Sequence, residues 1–100
     1  MQNRENIIRT IEEFRDDISG YGVRRIALFG SYASGMHNDD SDIDLLVEFA
    51  KDKKSFDNYM ALFDLLEEIL HTKVDLVTPE SLKHFLLDKI KETAIDVPLS

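Results

Sequence analysis

Apolar residues fall at Ile7, Ile8, Ile11, Phe14 and Ile18 with charged residues between them, and Gly20 and Gly22 follow. Steps of three and four predict a first amphipathic helix, ended by the glycines. The pattern then changes. Arg25-Ile26-Ala27-Leu28-Phe29 is a short apolar run bounded by Gly22 and Gly30, too short for a stable helix and read as a buried strand. Gly30 to Gly35 forms a turn or short helix, and Met36 to Ser41 is a polar loop. Asp42 to Phe49 reads as a second strand, and Lys51 to Lys54 as a charged turn. Helical spacing returns at Phe56, Tyr59, Met60, Phe63, Leu66, Ile69 and Leu70, with Ser55 placed to cap the helix and Met60, Phe63, Leu66 and Ile69 expected in the core. Lys73 to Thr78 reads as a third strand. Thr78-Pro79-Glu80 then opens a last helix with proline at its first position, carrying Leu82, Phe85, Leu86 and Ile90, and Ala94 to Ser100 is expected to be irregular. No repeat or linker interrupts this order. It predicts one α/β (α+β) domain over residues 1–100, a small mixed sheet of about three strands packed with helices.

Charge narrows the possible partners. Twenty acidic against twelve basic residues give a net charge of −8, a field that opposes direct binding to nucleic acid or to an anionic membrane. There is no cysteine, which excludes disulfides, thiolate metal sites and a thiol nucleophile. The first five residues are polar or charged, and no apolar run approaches the roughly 18 residues of a membrane span. A cytoplasmic chain is the expectation.

Three aspartates stand where strands rarely carry them. Asp42 and Asp44 open the second strand two positions apart, which places both carboxylates on one face. Such a pair repels itself unless a cation binds, and hard oxygen donors suit Mg²⁺; a strand start merely pointing into water is the alternative. Asp75 lies centrally in the third strand, where an ionised group is costly to bury without a partner. A third strand beside the second would bring it to the pair. Three carboxylates around two metal ions suit in-line phosphoryl or nucleotidyl transfer, and an exposed edge-strand aspartate is the competing reading. Gly30-Ser31 follows the first strand, where glycine lets a phosphate approach the backbone and serine adds a hydroxyl donor.

Ten residues, Tyr32 to Ser41, separate Gly30-Ser31 from Asp42-Ile43-Asp44. That spacing resembles the Gly-Ser, ten residues, Asp-x-Asp motif of the polymerase β-type nucleotidyltransferase superfamily. Gly30-Ser31-Tyr32-Ala33-x-Gly35 and Ser41-Asp42-Ile43-Asp44-Leu45-Leu46-Val47 are similar to the minimal nucleotidyltransferases, antitoxins paired with HEPN-domain toxins, and Asp75 to Glu80 resembles their third-carboxylate strand and the helix after it. The likeness runs over roughly residues 5–95. It implies the polymerase β-like fold and Mg²⁺-dependent transfer of AMP from ATP to a hydroxyl, that of a tyrosine, on a HEPN toxin. Gly30 and Ser31 would hold the triphosphate. Asp42 and Asp44 would ligate the metals, and Asp75 would help ligate one and activate the acceptor. Ser34 occupies a phosphate-side position where the family commonly has arginine, and a hydroxyl cannot neutralise a triphosphate. Arg24, Arg25, His37 and the Lys51, Lys53 and Lys54 cluster are other sources of charge, each read first as surface. His37, His71 and His84 lack metal-ligand spacing and are expected on surfaces, and Tyr32 is expected to pack against the first strand.

Two other readings remain open: a binding-only antitoxin that keeps the fold without catalysis, and a small-molecule nucleotidyltransferase whose acceptor pocket another subunit completes. The short chain offers no second domain to grip a small acceptor, so the acceptor is expected to bring its own docking surface. A basic, RNA-binding partner would complement the acidic chain.

Overall fold

The computed structural model describes residues 2–99. Helices α1 (Arg4–Glu13) and α2 (Arg15–Gly20) lead into strand β1 (Val23–Phe29), the one-turn helix α3 (Gly30–Ser34) and strand β2 (Ile43–Phe49). Helix α4 (Phe56–Leu70), strand β3 (Val74–Val77), a 3₁₀ turn (Pro79–Ser81), helix α5 (His84–Thr93) and strand β4 (Ile95–Val97) complete the order. The strands form one mixed sheet in the order β3-β2-β1-β4. β1 runs antiparallel to both β2 and β4, whereas β2 and β3 are parallel. Parallel neighbours need a long crossover, and α4 supplies it.

Register divides the sheet into two unlike faces. Ile26 lies opposite Val47 and Leu28 opposite Leu45, and on the other side of β1 Ile26 lies opposite Val97. These residues share the core with Ile7, Ile11 and Ile18 of α1 and α2 and with Leu62, Leu66 and Leu70 of α4. The opposite face alternates with it and carries Arg25, Asp44, Glu48, Asp75 and Asp96. Arg25 makes a two-pronged contact with Asp96 at 2.8 and 3.0 Å, tying β4 to β1, and lies 3.5 Å from Glu48.

The sequence reading differs from the structure in four places. The first helix breaks at Phe14, whose φ of −105° and ψ of 19° leave the helical region. Neither proline nor glycine marks the break, and the apolar stripe continues across it. α4 is rotated from its expected face: Leu62, Leu66 and Leu70 are fully buried, whereas Met60, Phe63 and Ile69 are half-buried. Ser55 caps it as expected, its hydroxyl accepting from the Asn58 N–H at 3.1 Å. After Thr78 the chain makes only a 3₁₀ turn, because the Ser81 hydroxyl accepts from the Thr78 N–H and donates to its carbonyl, closing the turn on itself. Leu82 and Lys83 are extended, and α5 starts at His84. The tail expected to be irregular supplies β4, so the sheet has four strands rather than three.

Candidate active site

β1 delivers the chain to a sharp turn. Gly30 has a φ of +73°, a conformation that only glycine adopts cheaply, and a Cβ there would collide with Oδ2 of Asp44 and sit 3.0 Å from its Cγ. The first turn of α3 is thereby seated against the Asp44 carboxylate. Gly35 ends α3 in the left-handed region, with a φ of +80°. Ser31 is half-buried. Ser34 is exposed, and its hydroxyl donates to the Ser31 carbonyl at 3.1 Å, so it folds back on its own helix.

β2 and β3 bring the carboxylates together. In the parallel register Asp44 lies beside Asp75, and Ile43 beside Val74, which carries Asp42 to the level of Lys73 on the same face as both aspartates. Asp42 and Asp75 are exposed and Asp44 is half-buried. Burial, then the charges of Asp75 and Asp42, then hydrogen bonding with Asp75 push the Asp44 carboxyl up to about 6. Desolvation therefore falls on Asp44, and not on Asp75 as the strand pattern suggested. Burial, and then the charge of Asp75, also push the Tyr59 phenol above its usual range.

Among the described residues no three histidine, cysteine, aspartate or glutamate side chains converge as a ready metal cage. The donor set nevertheless fits a hard cation. It consists of oxygens alone, it faces one side, and the charges of Asp75 and Asp42 already hinder the ionisation of Asp44 in a way that a cation would relieve.

The cations proposed from sequence are mostly elsewhere. Arg24 pairs with Glu48 at 2.9 Å and Arg25 is held by Asp96 and Glu48. The lysine turn packs against Gly22, with the Ala50 N–H donating to the Gly22 carbonyl, a full strand length from Asp42, and Lys54 pairs with Glu80 at 3.6 Å. His37 is half-buried rather than exposed: its ring stacks on the buried Tyr32 at 4.2 Å, and its Nδ1 has no hydrogen-bond partner. Tyr32 is a core residue, as expected.

The fold instead brings Lys73 and His71 to the Asp42 end of the site. Both line a cleft of about 450 Å³ with Asp39, Asp40, Ser41, Asp42 and Thr72. The available signal was parity: Lys73 stands two residues before Asp75, so a strand there turns both to one face. Arg4 was also missed; it reaches from α1 to donate to the Ala33 carbonyl of α3 at 2.8 Å. A second cleft of about 490 Å³, between α1 and the end of α4, has no carboxylate in its lining.

Comparison with known proteins agrees with this geometry. A family model described as a nucleotidyltransferase domain matches residues 7–97. A protein of Methanocaldococcus jannaschii, provisionally named a protein adenylyltransferase, is 46% identical over 79 residues, covering 77% of this chain and 79% of that protein. A solved structure provisionally described as a minimal nucleotidyltransferase superposes with a TM-score of 0.74 at 30% identity, over 88% of this chain and 93% of the other. A toxin–antitoxin crystal structure with AMP-PNP superposes with a TM-score of 0.70 at 29% identity, over 97% of this chain and 73% of the other.

Proposed function

The chain belongs to the nucleotidyltransferase domain family, and from that membership we propose that it is a protein adenylyltransferase, an antitoxin that moves AMP from ATP to a tyrosine hydroxyl of a HEPN-domain toxin. The observation that carries the chemistry is the parallel register of β2 and β3. It sets Asp75 beside Asp44, on the face of Asp42, where Gly30 closes one side. The relatives' own descriptions, protein adenylyltransferase and a toxin–antitoxin complex with an ATP analogue, support the substrate and the partner.

In this reading Gly30, whose Cβ space the Asp44 carboxylate fills, offers its backbone to the triphosphate, and the Ser31 hydroxyl donates to a phosphate oxygen. Asp42, Asp44 and Asp75 would hold Mg²⁺, in two ions, which when bound neutralises phosphate charge and favours the attacking oxygen as an anion. Asp75 faces the open side of the sheet and takes the proton of the acceptor hydroxyl. The acceptor oxygen bonds to the α-phosphorus, the bond from that phosphorus to the bridging oxygen breaks, and pyrophosphate leaves. Labelled ATP, Mg²⁺ and the cognate toxin test the reaction directly: label should appear on a toxin tyrosine, and its absence at millimolar ATP would refute the assignment.

Cation binding has a separate readout. Mg²⁺ binds the folded carboxylate face and not the unfolded chain, so at tenfold its dissociation constant it should stabilise by about 1.4 kcal/mol. A melting temperature raised by about 5–10 °C is expected, with a further rise on adding ATP. No change with either ligand at millimolar levels would count against a cation site on these aspartates.

A binding-only antitoxin draws support from Ser34, whose hydroxyl is turned away to the Ser31 carbonyl and carries no charge. Ser34→Arg tests whether that position faces the triphosphate. A guanidinium on the exposed side of α3 should strengthen ATP binding by about 1–3 kcal/mol through paired charge-assisted bonds. Calorimetric titration of ATP in Mg²⁺ measures it; unchanged affinity in a folded variant would show that the triphosphate does not pass position 34.

A further inference from the structure

We propose that Tyr59 and Glu67 of α4 are positioning residues that clamp β3 from its open side and hold Asp75 in register with Asp44; the inference rests on the reading of Asp75 as the group that receives the acceptor's proton. β3 is four residues long, lies at the sheet edge, and has only a parallel neighbour. Short parallel edges are the less stable kind of pairing and fray readily. Among the described residues no ion pair holds the exposed Asp75. Apart from its hydrogen bond with Asp44, its position therefore depends on its backbone.

Alternate residues of a strand turn their peptide groups to opposite sides. When Asp75 bonds toward β2, Val74 and Leu76 turn outward to the bare edge. α4 meets both of these outward groups. Glu67 Oε2 accepts from the Val74 N–H at 3.2 Å, and the Tyr59 hydroxyl donates to the Leu76 carbonyl at 2.6 Å. One bond precedes Asp75 and the other follows it. Tyr59 and Glu67 are eight residues apart, two positions of i, i+4 spacing along one side of the helix, and the same helix is fixed to the core by Leu62, Leu66 and Leu70. The crossover thus fixes the carboxylate's height along the sheet as well as connecting the strands. The Tyr59 phenol also lies close enough to feel the Asp75 charge.

The test uses Tyr59→Phe, Glu67→Ala and Glu67→Gln, alone and with Asp75→Asn. It reads toxin labelling from ATP and hydrogen exchange of the β3 amides. Tyr59→Phe and Glu67→Ala should each lower kcat about ten- to a hundredfold, the scale on which misplacement of a reacting group acts, with KM for ATP unchanged because ATP is held on the α3 side. Exchange in β3 should quicken while that in α4 does not. Glu67→Gln keeps an acceptor for the Val74 N–H and should restore most of the rate. In the Asp75→Asn background neither clamp substitution should cost anything more. Wild-type kcat in both Tyr59→Phe and Glu67→Ala, a raised KM for ATP in place of a lower kcat, or losses that add to that of Asp75→Asn would overturn the clamp. Unchanged β3 exchange would overturn it without reference to activity. A fully active Asp75→Asn chain would sink the assigned role of that carboxylate instead, which the exchange measurement distinguishes.

Discussion

Asp44→Asn is expected to abolish AMP transfer while making the metal-free chain more stable. Removing one group that stabilises developing charge commonly costs about a hundred- to a thousandfold in rate, and a larger loss is expected where that group also holds a cation. Stability should move the other way. Burial, Asp75 and Asp42 push the Asp44 carboxyl up to about 6. At about 1.4 kcal/mol for each tenfold change in acidity, that rise corresponds to about 3 kcal/mol of unfavourable ionisation. Asp44 is only half-buried and water screens it, so the gain expected from an uncharged isostere is about 1–2 kcal/mol, a melting temperature higher by roughly 5–10 °C.

The sign also sets a pH window. A carboxyl whose folded pKa lies above its unfolded value favours the native state fully below the unfolded pKa, near 4, and loses that contribution as pH rises through about 6. Wild type and Asp44→Asn should therefore diverge between pH 4 and about 6, the variant being the more stable above it. Melts across pH in chelator, beside the labelling assay, decide the matter. A variant that melts at or below wild type at pH 7, or that transfers AMP at the wild-type rate, would contradict the electrostatic account of the site.

Legibility in the sequence followed the range of each interaction. Gly30-Ser31 and Asp42-x-Asp44 are local patterns, and a ten-residue spacing between them is visible without a structure. The Ser55 cap was equally local. Cross-strand facts were not visible. Periodicity says that Asp42 and Asp44 share a face, but only register shows that Asp44, seated between Gly30 and Asp75, bears the desolvation. Lys73 reached the cleft for the same reason, its parity being readable and its neighbour not. β4 has three residues, too few for alternation to stand out, and becomes a strand because β1 offers it an edge and Arg25 holds Asp96. Phe14 shows the converse case, in which an apolar stripe that continues across a break conceals it.

Gly30→Ala should cost both fold and function, and the two losses have separable causes. Alanine in the left-handed region costs about 1–2 kcal/mol whatever surrounds it. Here the new methyl also enters the space of the Asp44 carboxylate, built close against Gly30 where Phe29 of β1 pairs with Asp44 of β2. Asp44 belongs to a strand buried among Ile43, Leu45 and Val47, so its backbone cannot withdraw and the side chain must turn. Overpacking of this kind adds about 1–3 kcal/mol, for a total near 2–5 kcal/mol. The melting temperature should fall by more than 10 °C and AMP transfer should become undetectable. The second cause can be removed alone. In an Asp44→Ala background the carboxylate is absent and only the 3.2 Å approach to the Cβ of residue 44 remains, so Gly30→Ala should cost little beyond the backbone term. Denaturant melts of the four chains in this double-mutant cycle should therefore show a coupling of about 1–3 kcal/mol. Additive losses would mean that the methyl and the carboxylate do not compete for one space, and the seating of α3 on Asp44 would then not be what requires glycine at position 30.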